Sequence, residues 1–230
     1  MGEAQSDPQA SLMCGRYSLT TTIDQLLPRL KGPLPEGFLE QYQPRQQVRP
    51  GEPLLIQRQQ QGRLEVGYAQ WGLVPSWLKD TRGKSRPMNA RSETVSQKPF
   101  FRGPWRHHRC LLPADGFYEW RPPPEGEGHG PKGKKQPFWI RRQDGAPFWL
   151  GGLWDHWIAP DGSELQTCCI LTTTPNALLR PIHDRMPVVI NDGWEEAWLL
   201  PEDAAELRGL EALMAPWDPA GWEAIPVDWL

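Results

Sequence analysis

The sequence predicts an α+β protein in which short, mainly antiparallel strands outnumber helices. Its 230 residues include 26 Pro and 22 Gly, and both residue types interrupt regular structure, helices above all. The 13 Trp supply large apolar side chains, and the apolar runs between the Pro and Gly residues are short. This combination favours strands and loops and argues against an all-helical bundle.

The chain length fits one domain, since domains usually contain roughly 100–200 residues. We expect a leader over residues 1–13, removed in the active form, and a single domain over residues 14–230. The first dozen residues contain Glu3, Asp7 and Pro8 and no apolar run. They therefore resemble neither a secretory signal nor a membrane anchor, and we expect an intracellular protein.

The N-terminal region predicts one strand and one helix. We expect a strand from Cys14 to Leu19 and a helix from Thr20 to Leu30, with Thr21 or Thr22 near its N-cap. The apolar side chains of this helix recur on one face, and Pro28 should weaken its later turns. The stretch from Pro33 to Arg49 looks like an irregular loop.

The middle of the chain predicts strands. Pro53–Gln59 and Leu64–Trp71 are apolar runs separated by a Gln-rich turn, which predicts a β-hairpin. Further short strands are expected at Cys110–Leu112, Phe117–Trp120, Phe138–Arg141, Phe148–Trp154 and Cys168–Thr173.

Two later segments differ from these strands. Pro201–Met214 predicts a helix, because Pro stands early, acidic residues fill the first turn and leucines recur at helical spacing. Arg121–Gln136 contains three consecutive prolines, several glycines and a cluster of lysines, and predicts a loop. That loop is either a solvated hairpin insertion or a DNA-gripping arm.

Charge and cysteine content limit the possible functions. With 25 Lys+Arg against 28 Asp+Glu, the formal net charge is -3, so any contact with nucleic acid requires a local basic patch. The four cysteines include the adjacent pair Cys168 and Cys169, which does not fit a disulfide framework. We expect reduced thiols, with this pair buried in a strand.

Five blocks combine reactive residue types with turn residues. They are Met13-Cys14-Gly15-Arg16-Tyr17, Trp71-Gly72-Leu73-Val74-Pro75-Ser76-Trp77, Asn89-Ala90-Arg91-Ser92-Glu93-Thr94, Ala114-Asp115-Gly116-Phe117-Tyr118-Glu119-Trp120 and His183-Asp184-Arg185-Met186-Pro187. In this order they closely resemble the SRAP family, named as SOS response-associated peptidases and understood as abasic-site DNA–protein crosslinking proteins. The resemblance covers about three quarters of the chain and implies a barrel-like β core with peripheral helices.

Cys14 is the expected nucleophile. Removal of the residues up to Met13 would give Cys14 a free α-amine beside its thiol. An α-amine, with a pKa of roughly 7.7–8.0, is partly neutral at physiological pH, so it attacks an aldehyde better than a lysine amine does. The ring-opened sugar of an abasic site offers such an aldehyde. The thiol can then close a thiazolidine ring on the resulting imine.

Three further residues are expected to assist. Glu119, between two aromatic residues, is a candidate general acid/base with a raised pKa, although a strand glutamate can also face water. His183 could protonate the sugar ring oxygen and move protons on the imine. Asn89 could orient the terminal cysteine. The family resemblance assigns all three to the active site.

The DNA is expected to be held by residues near these positions. Arg16, Arg91 and Arg185 each lie within two residues of a proposed catalytic residue and could bind phosphates. Trp71 and Trp77 could stack on bases, and core packing is the alternative for both. The family's Asn and Pro after its first helix correspond here to Gln47 and Pro50.

The resulting hypothesis is a monomer that crosslinks Cys14 to abasic sites in single-stranded DNA, with no metal and no organic cofactor. His107, His108 and Cys110 lack the second pair of ligands typical of a zinc site. One alternative is a cysteine peptidase, which Cys14, His183 and Asn89 resemble and which could cleave the leader. Another is a non-covalent reader of damaged single strands. If translation begins at Met13, ordinary Met removal suffices to free Cys14, whereas a start at Met1 requires cleavage after Met13.

Overall fold

A computed structural model describes residues 15–123, 135–201 and 203–228. Within these ranges the chain forms thirteen strands and five short α-helices. No helix among the described residues is long and apolar enough to cross a membrane. The predominance of antiparallel strands over helices confirms the predicted fold class.

Five strands close into a barrel, which confirms the barrel-like core. They are β3 (Pro53–Gln60), β4 (Arg63–Trp71), β6 (Arg109–Ala114), β9 (Phe148–Ile158) and β10 (Glu164–Thr173). The pairing runs β4–β3–β6–β9–β10, and β10 returns to β4 through a parallel contact at Cys168 and Trp71. Closure satisfies the hydrogen-bonding groups that would otherwise remain on free strand edges.

Three short strands extend the barrel. They are β5 (Asn89–Arg91), β11 (Met186–Pro187) and β12 (Val189–Ile190). β5 pairs in parallel with β10, β11 pairs antiparallel with the end of β10, and β12 pairs with β9. Two blocks of the sequence, those around Asn89 and His183, therefore meet at β10.

A second sheet has the order β13–β8–β7–β1–β2. Its strands are β1 (Tyr17–Leu19), β2 (Arg45–Val48), β7 (Gly116–Arg121), β8 (Gln136–Arg142) and β13 (Trp222–Pro226). Only Asp115 separates β6 of the barrel from β7 of this sheet, so the block that contains Glu119 passes directly from one sheet to the other.

Side-chain alternation along the barrel strands produces two buried clusters. Along β9, Leu150 and Trp154 pack into the first cluster, while Trp149 and Leu153 pack into the second. Such alternation is expected when both faces of a strand are covered. At Gly152 a methyl group would lie within 3.0 Å of two β6 side chains and of the Cys169 backbone oxygen on β10, which explains the glycine at this close approach.

The predicted strands in the middle of the chain are confirmed, including the hairpin of β3 and β4. The predicted first helix is shorter: α1 is Ile23–Leu26, followed by a 3-10 turn at Leu27–Arg29. Thr22 is its N-cap, as predicted. Pro28 explains the early end, because its nitrogen cannot donate the next helical hydrogen bond.

The loop predicted from Pro33 to Arg49 is wrong in part. It contains helix α2 (Phe38–Gln41) and edge strand β2. Strand β2 lies at the edge of its sheet and pairs with β1 alone, so much of its surface is in water. Its residues are therefore mostly polar and lack the apolar alternation by which a strand is predicted. Helices α3 (Arg102–His107) and α4 (Glu195–Leu199) were not predicted either.

The helix predicted from Pro201 to Met214 divides into α5 (Ala204–Gly209) and a 3-10 helix at Leu210–Met214. Asp203, rather than Pro201, caps its start by accepting from two backbone amides. Most of the predicted Arg121–Gln136 loop lies outside the described residues.

Cys110, Cys168 and Cys169 are buried and free, as predicted for the adjacent pair. Burial raises the pKa of the Cys169 thiol to about 12. These three thiols therefore stay protonated and unreactive near neutral pH, which leaves Cys14 as the candidate nucleophile.

Candidate active site

Glu119 lies on β7 and is 1% exposed. Its strand neighbour Tyr118 donates its backbone N–H to the carbonyl of Arg16 across the β1–β7 pair, at 3.0 Å. The register of this pair sets Tyr17 opposite Phe117. Continued toward the N-terminus, the same register brings Gly15 opposite Glu119, so the chain that leads to Cys14 arrives beside this carboxylate.

His183 lies between β10 and β11 and faces Glu119. Its Nε2 is 3.9 Å from a Glu119 carboxylate oxygen, and its side chain is 9% exposed. Glu119 belongs to a strand and His183 to the segment between two other strands, so the fold brings together two side chains that are 64 residues apart in the sequence. At 3.9 Å the Nε2 and carboxylate oxygen are farther apart than a direct hydrogen bond.

The other nitrogen of His183 accepts a hydrogen bond from the Arg185 backbone amide, at 3.1 Å. The exposed carboxylate of Asp184 also lies 3.0 Å from this Nδ1. A backbone N–H can only donate, so Nδ1 is the acceptor in its contact with the Arg185 amide. Nε2 is the ring nitrogen that faces Glu119.

Asn89 begins β5 and is half-buried. The parallel pairing places it opposite Ile170 and places Arg91 opposite Thr172. The residue before Asn89, Met88, accepts backbone and indole hydrogen bonds through its carbonyl oxygen. Asn89 is therefore fixed to the end of β10 from which the chain continues to His183.

Arg185 was predicted to bind phosphate, but in this structure it is 8% exposed and binds protein groups. Its guanidinium donates to both carboxylate oxygens of Glu93, at 2.7 and 2.8 Å, and to the Thr172 carbonyl. The hydrogen bond from Arg185 lowers the pKa of Glu93. The ion pair connects the segment after Asn89 to the segment after His183, and so stabilises the relative position of these two residues.

Arg16 and Arg91 differ from Arg185 in accessibility. Arg91 is exposed and Arg16 is half-buried. The guanidinium of Arg16 lies over the Trp120 ring, 5.3 Å from its centroid, a cation–π contact that still leaves donors for a ligand. These two arginines remain candidates for phosphate binding.

A cleft of about 530 Å³ opens beside His183. Trp120, Lys135, Arg180 and Asp184 are among its lining residues. Lys135 and Arg180 are exposed. Lys135 belongs to the lysine cluster of the predicted Arg121–Gln136 loop, whereas Arg180 was not singled out from the sequence. Arg180 precedes His183 by three residues, and this short spacing is the sequence feature that could have identified it as a candidate.

Trp71 contradicts the proposed stacking role. It is 2% exposed, its ring packs edge-on against Tyr17 at 5.6 Å, and its indole N–H donates to the Met88 carbonyl at 2.9 Å. Bases therefore cannot stack on it. Trp71 instead connects β1, which follows Gly15, to the residue before Asn89.

Trp77 is the more accessible tryptophan, with 58% of its surface exposed. Phe100 packs against its ring with centroids 6.2 Å apart. Pro50 is exposed in the turn between β2 and β3, and the neighbouring Gly51 donates its amide to the Trp71 carbonyl. Both residues keep the accessibility that DNA contact requires.

Asp115 fixes the C-terminal end of β1. Its carboxylate is 7% exposed and accepts hydrogen bonds from the backbone amides and hydroxyls of Thr20 and Thr21. A buried carboxylate is stabilised by such donors. This contact fixes the position of β1 along β7. The sequence predicted only a turn at Asp115.

Cys14 itself lies outside the described residues, so its geometry is not described. Among the residues that are described, no group of three or more His, Cys, Asp or Glu side chains could hold a metal ion.

Comparisons with known proteins relate nearly the whole chain to one family. The model of the SRAP family, described as SOS response associated peptidase, matches residues 13–229. The abasic site processing protein YoqW of Bacillus subtilis is 38% identical over 217 residues, which cover 94% of this chain and 92% of the relative. YedK of Escherichia coli, also named an abasic site processing protein, is 30% identical over 87% of this chain and 83% of its own.

A solved structure from Bacteroides thetaiotaomicron has a similar fold. It superposes with a TM-score of 0.79 at 28% identity, covering 94% of this chain and 92% of its own.

Proposed function

Because the chain belongs to the SOS response associated peptidase family, we propose that it processes abasic sites in single-stranded DNA by forming a covalent link through Cys14. Relatives across most of the chain length carry the name abasic site processing protein, which supports abasic DNA as the substrate. The observation that carries the proposal is the pairing of β1 with β7, since its register, continued by two residues, sets Gly15 opposite Glu119, and Gly15 is the neighbour of Cys14 in the sequence.

The proposed reaction begins with the α-amine of Cys14. It adds to the aldehyde carbon of the ring-opened sugar, and the resulting carbinolamine loses one water to give an imine. The thiol then adds to the imine carbon, forming a carbon–sulfur bond and returning a proton to nitrogen. The product is a thiazolidine, and the overall reaction releases one water.

We assign the proton transfers of these steps to Glu119 and His183. Glu119 is buried beside the arriving chain, so its carboxylate can take a proton from the attacking amine. His183 presents Nε2 toward the same space and lines the neighbouring cleft. It can protonate the sugar ring oxygen as the aldehyde opens and the departing hydroxyl afterward. We assign Asn89 the orientation of Cys14.

The charges around the cleft fit a DNA backbone. Arg16, Lys135 and Arg180 provide cations near Trp120 and His183, whereas the formal net charge of the chain is -3. Cations concentrated at one site attract phosphates even when the whole protein does not. We propose these residues and Arg91 as phosphate contacts, with Trp77 and Pro50 on the path of the strand.

The proposal requires that residues 1–13 be absent from the active form, because only a terminal cysteine has both groups of the thiazolidine. The family match begins at residue 13, which is consistent with this boundary. Self-cleavage by the same site is a second candidate activity, favoured by a histidine and a carboxylate beside the peptide that leads to Cys14.

The test uses two forms of the protein, one beginning at Cys14 and one beginning at Met1. Each is incubated with a single-stranded oligonucleotide that contains one natural abasic site. We expect a heat-stable conjugate with the first form, with a mass equal to protein plus oligonucleotide minus one water. Cys14→Ala should abolish it. A conjugate that persists in Cys14→Ala would refute the assignment of the nucleophile.

The Met1 form tests leader removal. Mass spectrometry should show loss of residues 1–13 before conjugation, and Glu119→Gln in this form separates self-cleavage from removal by another enzyme. If the leader is retained while the conjugate still forms, the aminothiol mechanism is wrong.

A further inference from the structure

The loop that carries Trp77 is tied to the barrel by a ladder of side-chain hydrogen bonds. The Val74 amide donates to the Thr167 hydroxyl at 2.9 Å, and the Ser76 amide donates to the Asp155 carboxylate at 2.9 Å. Farther along, the indole N–H of Trp157 donates to the Leu78 carbonyl. Alternate residues of the loop are therefore bound, and Trp77 lies between two of them.

The barrel residues of this ladder are themselves in register. Asp155 and Thr167 are directly opposite each other on the paired strands β9 and β10, and Trp157 follows Asp155 by two positions on the same face. Asp155 and Thr167 are 1% and 0% exposed, respectively. The fixed spacing of the β9–β10 pair therefore sets the spacing of the loop residues Val74 and Ser76, which are held by these hydrogen bonds rather than by strand pairing.

Asp155 is the central member. Besides Ser76, its carboxylate accepts the His156 amide at 2.9 Å and lies 3.2 Å from Nδ1 of His108. His108 stacks on Trp154, with ring centroids 4.7 Å apart. An amide N–H that donates to a buried carboxylate must point toward it. Asp155 therefore fixes the orientation of the Ser76 peptide and with it the path of the loop.

We infer that Asp155 is a positioning residue for DNA binding, which holds the Pro75–Leu78 loop so that Trp77 stands ready to stack on a base. This inference rests on the proposed function, since it assumes that Trp77 contacts the DNA. A preformed stacking surface binds a strand without first having to order itself. Asp155 touches neither Trp77's ring nor the DNA in this assignment, and acts through the Ser76 amide.

The test is a double-mutant cycle between Asp155→Ala and Trp77→Ala. All proteins carry Cys14→Ser, so that binding remains non-covalent and reversible. The probe is a fluorescent single-stranded oligonucleotide with a tetrahydrofuran abasic analogue, which has no aldehyde. We expect each single substitution to weaken Kd about 10-fold, the loss typical of one stacked base, and the double variant to be no weaker than Trp77→Ala alone.

A structural control separates positioning from general destabilisation. Leu153→Ala opens a cavity two residues from Asp155 on the same strand, where Leu153 is fully buried, without removing a bond to the loop. It should lower Tm yet leave Kd near that of the parent. Thr167→Val, which removes the neighbouring bond to Val74, should weaken Kd in the same direction as Asp155→Ala.

Hydrogen exchange gives a readout that does not depend on DNA. The Ser76 amide should exchange faster in Asp155→Ala and remain protected in Leu153→Ala. The inference is overturned if the two binding effects multiply in the double variant, if Asp155→Ala binds no worse than Leu153→Ala, or if Trp77→Ala leaves Kd unchanged. None of these results affects the heat-stable conjugate formed with a natural abasic site, so failure of the inference and failure of the proposed function remain distinguishable.

Discussion

The molecule contains two pairs of a buried carboxylate and a histidine, and the two pairs differ in how they are bound. Glu119 and His183 are 3.9 Å apart beside a cleft. Asp155 and His108 are 3.2 Å apart, and Asp155 also accepts two backbone amides. In the first pair, His183 lines the cleft, whereas the second pair is part of the hydrogen-bonded support of the loop that carries Trp77.

This difference teaches that residue type alone does not identify a catalytic pair. A carboxylate that accepts several fixed N–H groups holds the surrounding backbone in place and serves structure. A carboxylate and an imidazole separated by slightly more than a hydrogen bond can exchange protons with a group that enters between them. Substitutions in the two pairs should therefore affect different properties.

Glu119→Gln should produce the largest effect. The amide keeps the shape of the side chain but cannot accept the proton of the attacking amine, so we expect the rate of conjugate formation to fall about 10²–10⁴-fold. Single-turnover measurement with an abasic oligonucleotide gives this rate. Binding of the tetrahydrofuran oligonucleotide should change little, and an unchanged rate would remove Glu119 from the mechanism.

Asp155→Asn is the matched substitution in the second pair. The amide cannot accept from both Ser76 and His156 without turning its NH₂ group toward one donor, so we expect a loss of about 1–3 kcal/mol in the free energy of unfolding. Urea denaturation measures it. The rate of conjugate formation at saturating oligonucleotide should stay near that of the parent. A rate loss as large as that of Glu119→Gln would eliminate the distinction between the pairs.

The Glu93–Arg185 ion pair, close to His183, predicts that the stability of the fold depends on pH. The hydrogen bond from Arg185 lowers the pKa of Glu93 below its ordinary value. The pair therefore contributes its full stability above the unfolded pKa of about 4.3, and loses it as pH falls through the folded pKa. The Tm difference between the parent and Glu93→Gln should be present at pH 7 and shrink in acid. A difference that stays constant with pH would assign the effect to packing.

His108→Ala should give the smallest effect. The His108 side chain is 37% exposed, and Asp155 keeps both backbone donors after the substitution. We expect less than a 3-fold change in oligonucleotide Kd, because a contact made by a partly exposed side chain contributes little. His183→Ala, the matched change in the first pair, should instead slow conjugate formation strongly at unchanged Kd. If the two histidine variants behave alike, the pairs do not have different roles.

The sequence predicted strands better than helices. It also identified candidate residues for the site without predicting which of their side chains are exposed. The Trp71 and Trp77 side chains illustrate this limit: both flank the same Gly/Pro turn, yet one is buried and the other exposed. Whether a tryptophan faces the core depends on barrel closure between β4 and β10, a contact between residues about 100 positions apart. No local pattern contains that information.

The same limit applies to the site. Glu119 and His183 could be singled out from their blocks, but their proximity follows from two sheets meeting at Asp115. Arg185 was predicted to bind phosphate because it lies within two residues of His183, a proposed catalytic residue. Its partner Glu93 lies 92 residues away, and only the fold reveals that the charge is already neutralised. Asp155 gave no sequence signal, because a single aspartate between two tryptophans has no characteristic spacing.

Under the proposed mechanism, the short pairing of β1 with β7 also limits where the leader can be cut. Asp115 fixes one end of β1, and only Gly15 and Arg16 separate Tyr17 from Cys14, the proposed nucleophile. A strand advances about 3.3 Å per residue and alternates its faces, so one extra or missing residue would carry the proposed reactive amine away from Glu119. Removal of the leader would then have to be accurate to a single peptide bond, and we expect a protein cut one residue early to fold normally and to form no crosslink.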